Sequence, residues 1–170
     1  MLDRMKLKTK IALLVVAALI GLLSLTVFSA FKMKTDLING RKEVIQSILE
    51  ATHATLAGYQ AQVAAGTLKE EDAKKAAALA ISQIRYGGAD GKSEYFYVYR
   101  SDGVTVMHTT KPEWEGISKV EEVKDVLGRY TLKNILAASK AAPEGAFVET
   151  LFPRPGQPAD KAVEKLQYLK

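Results

Sequence analysis

From Ile11 to Phe31 the chain reads IALLVVAALIGLLSLTVFSAF, 21 residues without a charge, and this run dictates more of the architecture than any other stretch. As a helix rising about 1.5 Å per residue it is roughly 31 Å long, which matches a bilayer core of about 30 Å. The length predicts one transmembrane helix over 11–31. A cleaved leader is the competing reading, but the apolar region of a leader commonly stops at about 7 to 15 residues. Arg4, Lys6, Lys8 and Lys10 precede the run, and the next charge is Lys32. The positive-inside bias then keeps 1–10 in the cytoplasm as a basic tail and sends 32–170 across the membrane as an extracytoplasmic domain.

The net charge of +5 divides unevenly along the chain. Four of the 24 basic residues and one of the 19 acidic ones lie in the first ten positions, leaving 20 against 18 beyond them. A domain so nearly neutral gives no footprint for nucleic acid. With no cysteine, disulfides, thiol chemistry and thiolate zinc sites are excluded.

After the span, apolar residues at helical spacing (Leu37, Val44, Ile48, Ala51 and Thr55, with Ile45, Leu49, Thr52 and Leu56 beside them) predict a long helix to about Ala65. Asn39-Gly40 predicts a break or bend within it. Thr67-Leu-Lys-Glu70 has the form of a capping box, which starts a second helix running to Arg85 and ending at Gly87-Gly88. Farther on, 117–127 reads as a short helix ended by Gly128, and 130–142 as another. Residues 146–152 and 163–170 alternate as strands, separated by the Pro153-Arg154-Pro155-Gly156 turn.

Between the helical halves lies EYFYVYRSDGVTVMH, 94–108, whose period-2 alternation and Asp102-Gly103 pair predict a β-hairpin with a two-residue turn. Such a turn sets Ser101 against Val104, Tyr99 against Val106, Tyr97 against His108 and Tyr95 against Thr110. One face then carries Tyr95, Tyr97, Tyr99, Val106 and His108, and the other carries Phe96, Val98 and Met107. The second is a core face. The first is suited to water or to a polar pocket.

Catalysis has little material. The only histidines are His53 and His108, and no HExxH, GxSxG, P-loop or dinucleotide glycine fingerprint occurs, so no cofactor or metal is expected. Packing of the second helix on the hairpin brings Arg85, Tyr86, Tyr95, Tyr97 and His108 together with nothing acidic at comparable positions. An unpaired buried cation is costly, a small anion removes that cost, and Arg grips a carboxylate with two parallel hydrogen bonds. The set predicts a carboxylate pocket.

These residues also carry a resemblance. The basic start and span, the long helix, Arg85-Tyr86-Gly87-Gly88, Tyr95-Phe96-Tyr97-Val98, Asp102-Gly103 and His108 come in the order found in bacterial chemoreceptors with a single Cache sensor domain (sCache_2). Gly116, Asp125 with Gly128, Gly145, Pro153-Arg154-Pro155-Gly156 and Lys165-Leu-Gln-Tyr168 extend the likeness over nearly the whole chain. Threonine follows His108 where that family favours proline, and Tyr97 stands where tryptophan is common. The family continues into a further strand bearing Pro-Trp and Gly-Thr-Gly, a second membrane helix, a HAMP linker and a signalling coiled coil. None of these follows here, so the resemblance leads one to expect a truncated sheet with 163–170 poorly anchored.

What the resemblance implies is an α+β, PAS-like fold, with an antiparallel sheet, a long N-terminal helix behind it and a ligand pocket in front. It implies a sensor that binds small organic acids of the acetate, propionate, lactate or pyruvate class, two to three carbons long, without converting them. The ligand set carried over is Arg85, Tyr95, Tyr97, His108 and Lys165, with Tyr86, Trp114 and Tyr168 after them. Partners are the carboxylate, the inner membrane and a second copy through the long helix. A sensor kinase or cyclase parent stays open, as does a membrane-anchored interaction module. So does a hydrolase with His108 as base and Thr105, Thr109 or Thr110 as its hydroxyl.

Overall fold

The structure, a computed structural model, describes residues 6–154 and 156–170; the readings that rest on Arg4 and Pro155 lie outside them. Two compact units, Met1–Val44 and Ile45–Lys170, share the long helix α1, Leu7–Ala64.

In the first unit α1 is long and apolar enough to cross a membrane. Ser24, Thr26 and Thr35 donate their hydroxyls to the carbonyls of Ile20, Leu22 and Phe31, four residues back. A polar group in an apolar run finds its partner this way within its own helix. No break occurs at Asn39-Gly40, contrary to expectation. One glycine costs about 1 kcal/mol in a helix interior, which is small against the cooperativity of so long an element.

In the second unit the inner face of α1, with Ile48, Leu49 and Leu56, packs on a core of Ile81, Phe96 and Met107. Helix α2 is Glu70–Ser82, and its first turn places Glu70, Glu71 and Asp72 at the positive end of the helix dipole. The capping box does not form. Lys69 is the N-cap, and the Thr67 hydroxyl instead donates to Gln62 O at 3.0 Å in the turn that leaves α1. Helix α2 also stops three residues short of Arg85. Arg85–Tyr86 is strand β1, paired antiparallel with β2, Glu94–Tyr95.

The hairpin forms from β3, Tyr97–Tyr99, and β4, Thr105–His108. Tyr97 faces His108 and Val98 faces Met107, as the turn predicts. A bulge after Val98 then sets Tyr99 against Thr105 rather than Val106, and Val106 is 45% exposed. Tyr95 pairs with Arg85, not Thr110. The bulge follows from the turn, where Arg100 N–H donates to Val104 O at 2.9 Å and Gly103 N–H to Arg100 O at 2.8 Å, a longer loop than two residues. Gly103 takes φ 87°, and a Cβ there would lie 2.1 Å from Val120 Cγ2. Both the turn and the packing therefore require glycine.

Residues 117–127 are not helical. The segment runs as turns and bridges, with Ser118 paired to Val104 and Lys124 to Tyr130. The Asp125 carboxylate accepts from Leu127 N–H and Arg129 N–H, each at 3.0 Å, and so satisfies by side chain the donors a helix would satisfy by main chain. Helix α3, Thr131–Ala141, follows. Strands β5, Ala146–Pro153, and β6, Ala162–Leu169, pair over eight residues each, so β6 is anchored along its length despite the expectation of weak anchoring. A second core, Leu132, Ile135 and Leu169, gathers Tyr97, Tyr99, Val120 and Val123 against it. β3 is thus covered on both faces. Among the described residues β3 and β6 each pair with one neighbouring strand, and residues of both line a cavity of about 240 Å³.

Candidate functional site

Opposing Tyr97 to His108 on the hairpin starts a cluster of rings. Tyr97 stacks on the imidazole with centroids 5.6 Å apart, Tyr95 lies 5.6 Å away, and Trp114 meets its edge at 5.4 Å. Trp114 is delivered by a short turn, Pro112–Trp114, that the main chain folds back over β4. His108 is only 6% exposed. Its Nδ1 accepts Thr110 N–H at 3.3 Å, which leaves Nε2 as the proton-bearing nitrogen. Burial pushes the imidazole pKa down to about 4 and Lys111 adds to this, while Glu113 and Glu115 oppose it. The ring is therefore a neutral donor at neutral pH. Among the described residues the ring's hydrogen bond is to the main chain, at Nδ1, the nitrogen that a carboxylate orients in a Ser-His-Asp arrangement.

Tyr97 is held by a second line of contacts. Its hydroxyl donates to Gln167 Oε1, and Gln167 Nε2 donates to Thr150 Oγ1 at 2.7 Å, with Thr150 buried. Burial pushes the phenol pKa of Tyr97 strongly up, with Tyr99 and Tyr95 adding to it. It stays a protonated donor. Gln167 lies two residues from Lys165 on β6, so strand parity places both on one face.

These groups line a cavity of about 650 Å³ between the hairpin, α3, the 110–124 segment and the β5–β6 ladder. Tyr95, Tyr97, His108, Trp114 and Lys165 are on its wall. Lys165 is half-buried, and burial together with Arg154 pushes its ammonium pKa down while Glu94 opposes. Its Nζ is 5.9 Å from the Tyr95 ring centre.

Three of the expected residues are off this wall. Arg85 donates Nε to Glu94 O at 3.2 Å and Nη2 to Lys92 O, tying down the glycine loop, and its guanidinium carbon lies 5.8 Å from the Tyr95 ring centre. Its cation has main-chain partners that strand pairing alone did not reveal. Tyr86 turns to the first core against Phe96, at 5.9 Å, because β1 begins where the helix was expected to continue. Tyr168 packs on Phe147 at 4.6 Å and donates to Glu144 O at 3.4 Å, on the face opposite Lys165 as parity requires. Arg154 and Gln167 are on the wall and were not anticipated. Parity with Lys165 could have found Gln167. Arg154 sits in a proline turn, where no periodicity applies.

Comparison with known proteins agrees with the fold. The family model described as Single Cache domain 2 matches residues 37–170. The chain is similar to the methyl-accepting chemotaxis protein McpP of Pseudomonas putida, 25% identical over 169 residues, which are 99% of this chain and 30% of that protein. A solved Cache chemosensory domain described for its carboxylic acid recognition superposes with a TM-score of 0.68 at 27% identity, over 79% of this chain and 86% of its own. The periplasmic sensor domain of a chemotaxis protein gives 0.67 at 27% identity, over 77% and 85%. A methyl-accepting chemotaxis protein from Vibrio parahaemolyticus, at 22% identity and a TM-score of 0.59 over 78% and 80%, shares the fold.

Proposed function

Because the chain belongs to the Single Cache domain 2 family, we propose that it is a membrane-anchored, extracytoplasmic sensor that binds short organic carboxylates and releases them unchanged. One observation carries the reading: a half-buried Lys165 without a carboxylate ion-pair partner among the described residues, on the wall of a cavity beside the rings of Tyr95, Tyr97 and His108. Lys165 supplies the charge. His108 Nε2–H and Tyr95 supply oriented donors, the Tyr97 hydroxyl, whose proton goes to Gln167 Oε1, holds its ring against the imidazole, and Trp114 closes the apolar side. Arg85 acts through Tyr95 and the loop it ties, Tyr86 through Phe96 and Tyr168 through Phe147. Acids of two to three carbons, of the acetate, propionate, lactate or pyruvate class, fit this floor. Six heavy atoms at a ceiling of ~1.5 kcal/mol each give about 9 kcal/mol, so affinity is micromolar or weaker.

Residues 11–31 cross the inner membrane, 1–10 stay in the cytoplasm, and two copies pair through α1. Ligand binding shifts the population of α1 positions, which is the signal in a longer receptor. Chemotaxis is favoured over a kinase or cyclase output because the similar curated protein is a chemotaxis protein. The test is thermal unfolding and calorimetry of the whole chain in detergent micelles with acetate, propionate, lactate and pyruvate. At 100 times Kd an acid should add about 2.7 kcal/mol of stability. Lys165→Ala should weaken binding at least tenfold, while Lys140→Ala on the exposed side of α3 leaves it unchanged. A folded chain that none of the acids stabilises ends the reading.

A further inference from the structure

The cavity is larger and more cationic than a three-carbon acid requires. Six heavy atoms, at the ~30 Å³ a water occupies in the liquid, fill roughly 180 Å³, against about 650 Å³ present. Five basic side chains reach the wall, and three are already engaged: Lys111 by Glu113, Lys119 by Glu122, and Lys124 by the face of Tyr130. Of the wall cations without a carboxylate partner among the described residues, Lys124 lies 4.4 Å from the Tyr130 ring centre, which leaves Lys165 and Arg154. They stand at different depths. Lys165 is half-buried opposite Thr150, whereas Arg154 is exposed just past the Pro153 and Ala162 pair. Four residue steps separate the two levels, roughly 13 Å at ~3.3 Å per residue.

We infer that the cavity also takes dicarboxylates of four or five carbons, one carboxylate held at Lys165 beside His108 and Tyr97 and the other met by Arg154 at the β5–β6 turn. The inference rests on the carboxylate reading above and extends it. A monoanion neutralises one of the two free cations, and only a ligand with a second charge neutralises both. The guanidinium is suited to the outer position, because its planar fork meets a carboxylate with two parallel hydrogen bonds even where water competes. Between the two cations, Leu132, Ile135 and Phe152 give the cavity an apolar wall for the methylenes.

The experiment compares calorimetric affinities of the whole chain in detergent micelles for propionate and lactate against succinate and glutarate, at one ionic strength. The wild-type chain should bind a diacid at least tenfold tighter than a monoacid. Arg154→Gln should bring that ratio close to one, and Lys124→Gln, which removes a cavity cation already engaged by Tyr130, should leave it as it was. If monoacids bind and diacids bind no tighter, this inference fails and the carboxylate reading stands. If Lys124→Gln lowers the ratio as far as Arg154→Gln, the preference is general charge attraction and the assignment of Arg154 falls. If neither series binds a folded chain, the underlying reading fails with it. Arg154 is exposed in a turn, so an unchanged thermal midpoint of Arg154→Gln verifies that its effect is not loss of fold.

Discussion

His108 has to shed its proton to occupy its place on the hairpin, and that makes stability depend on pH in a definite direction. Its pKa falls from an ordinary 6.5 to about 4 on folding, so between those values the unfolded chain binds a proton that the folded chain lacks. The neutral ring's contribution is fully present above about pH 6.5 and is lost as the pH falls toward 4. A shift of this size corresponds to about 3 kcal/mol, reduced to about 2 kcal/mol where water reaches the open cavity. Thermal midpoints of the whole chain should fall between pH 6.5 and 5, and His108→Phe should flatten that fall. The carboxylates held low by their partners, such as Asp125 beside Arg129, lose stabilisation only below their usual range near 3.8 and leave this window clear. Equal slopes in wild type and variant would assign the effect elsewhere. The opposition of Tyr97 and His108 follows the period of two, and the bulge after Val98 restores the register that the longer turn would shift by one residue. The chain of contacts from Tyr97 through Gln167 to Thr150 was not legible in the sequence, because it joins residues 70 and 17 apart. Arg85 is expected at the end of the second helix, but that helix stops at Ser82, and Arg85 opens β1 with carbonyl partners in the glycine loop.

Helix α1 shows how far periodicity reaches at the scale of an element. The apolar positions read from the sequence fall into two stripes. Ile45, Leu49, Thr52 and Leu56 turn toward the second unit's core or its adjoining cavity, while Leu37 and Val44, 62% and 55% exposed, continue with Ala51 along another line. Leu37, Val44 and Ala51 recur every seven residues, the interval at which a helix presents one seam to a partner helix. The pairing of two copies proposed above would use that seam. Since the chain has no cysteine, Val44→Cys provides one unambiguous thiol, and two copies paired along the seam bring it within the ~4.4–6.8 Å Cα spacing of a disulfide. Val44→Cys in membranes should form a crosslinked dimer on mild oxidation. Glu50→Cys, about 120° around the helix from it, should not. Equal crosslinking at both positions would indicate random collision. Periodicity misled at 117–127, where Ile117, Val120, Val123 and Leu127 have helical spacing. The Asp125 turn supplies a local alternative there, and three-residue spacing alone does not exclude it.

At the scale of the whole molecule, the order of features carried the family where no single motif would, since each element only has to fall in sequence for the resemblance to hold. How the ladders meet was less legible, because register between non-neighbouring strands depends on contacts across 70 residues rather than on any local period. Orientation in the membrane is the one global property that the sequence specifies through charge alone. Arg4, Lys6, Lys8 and Lys10 lie within seven residues before the span, while Lys32 and Lys34 follow it at once, partly offset by Asp36, and Arg41 and Lys42 come farther on. The Lys32 ammonium lies 3.4 Å from the Asp36 carboxylate. By the positive-inside bias this arrangement predicts a cytoplasmic N-terminal side, and the proposed sensor would then have its cavity outside the cytoplasm. Lys140→Cys, on an exposed position of α3, should then react with a membrane-impermeant maleimide added to intact spheroplasts. Lys8→Cys should react only after the membrane is opened. Reversed labelling would put the cavity in the cytoplasm, and a carboxylate bound there would report metabolism rather than surroundings. Labelling of both before lysis would mean that 11–31 does not span at all.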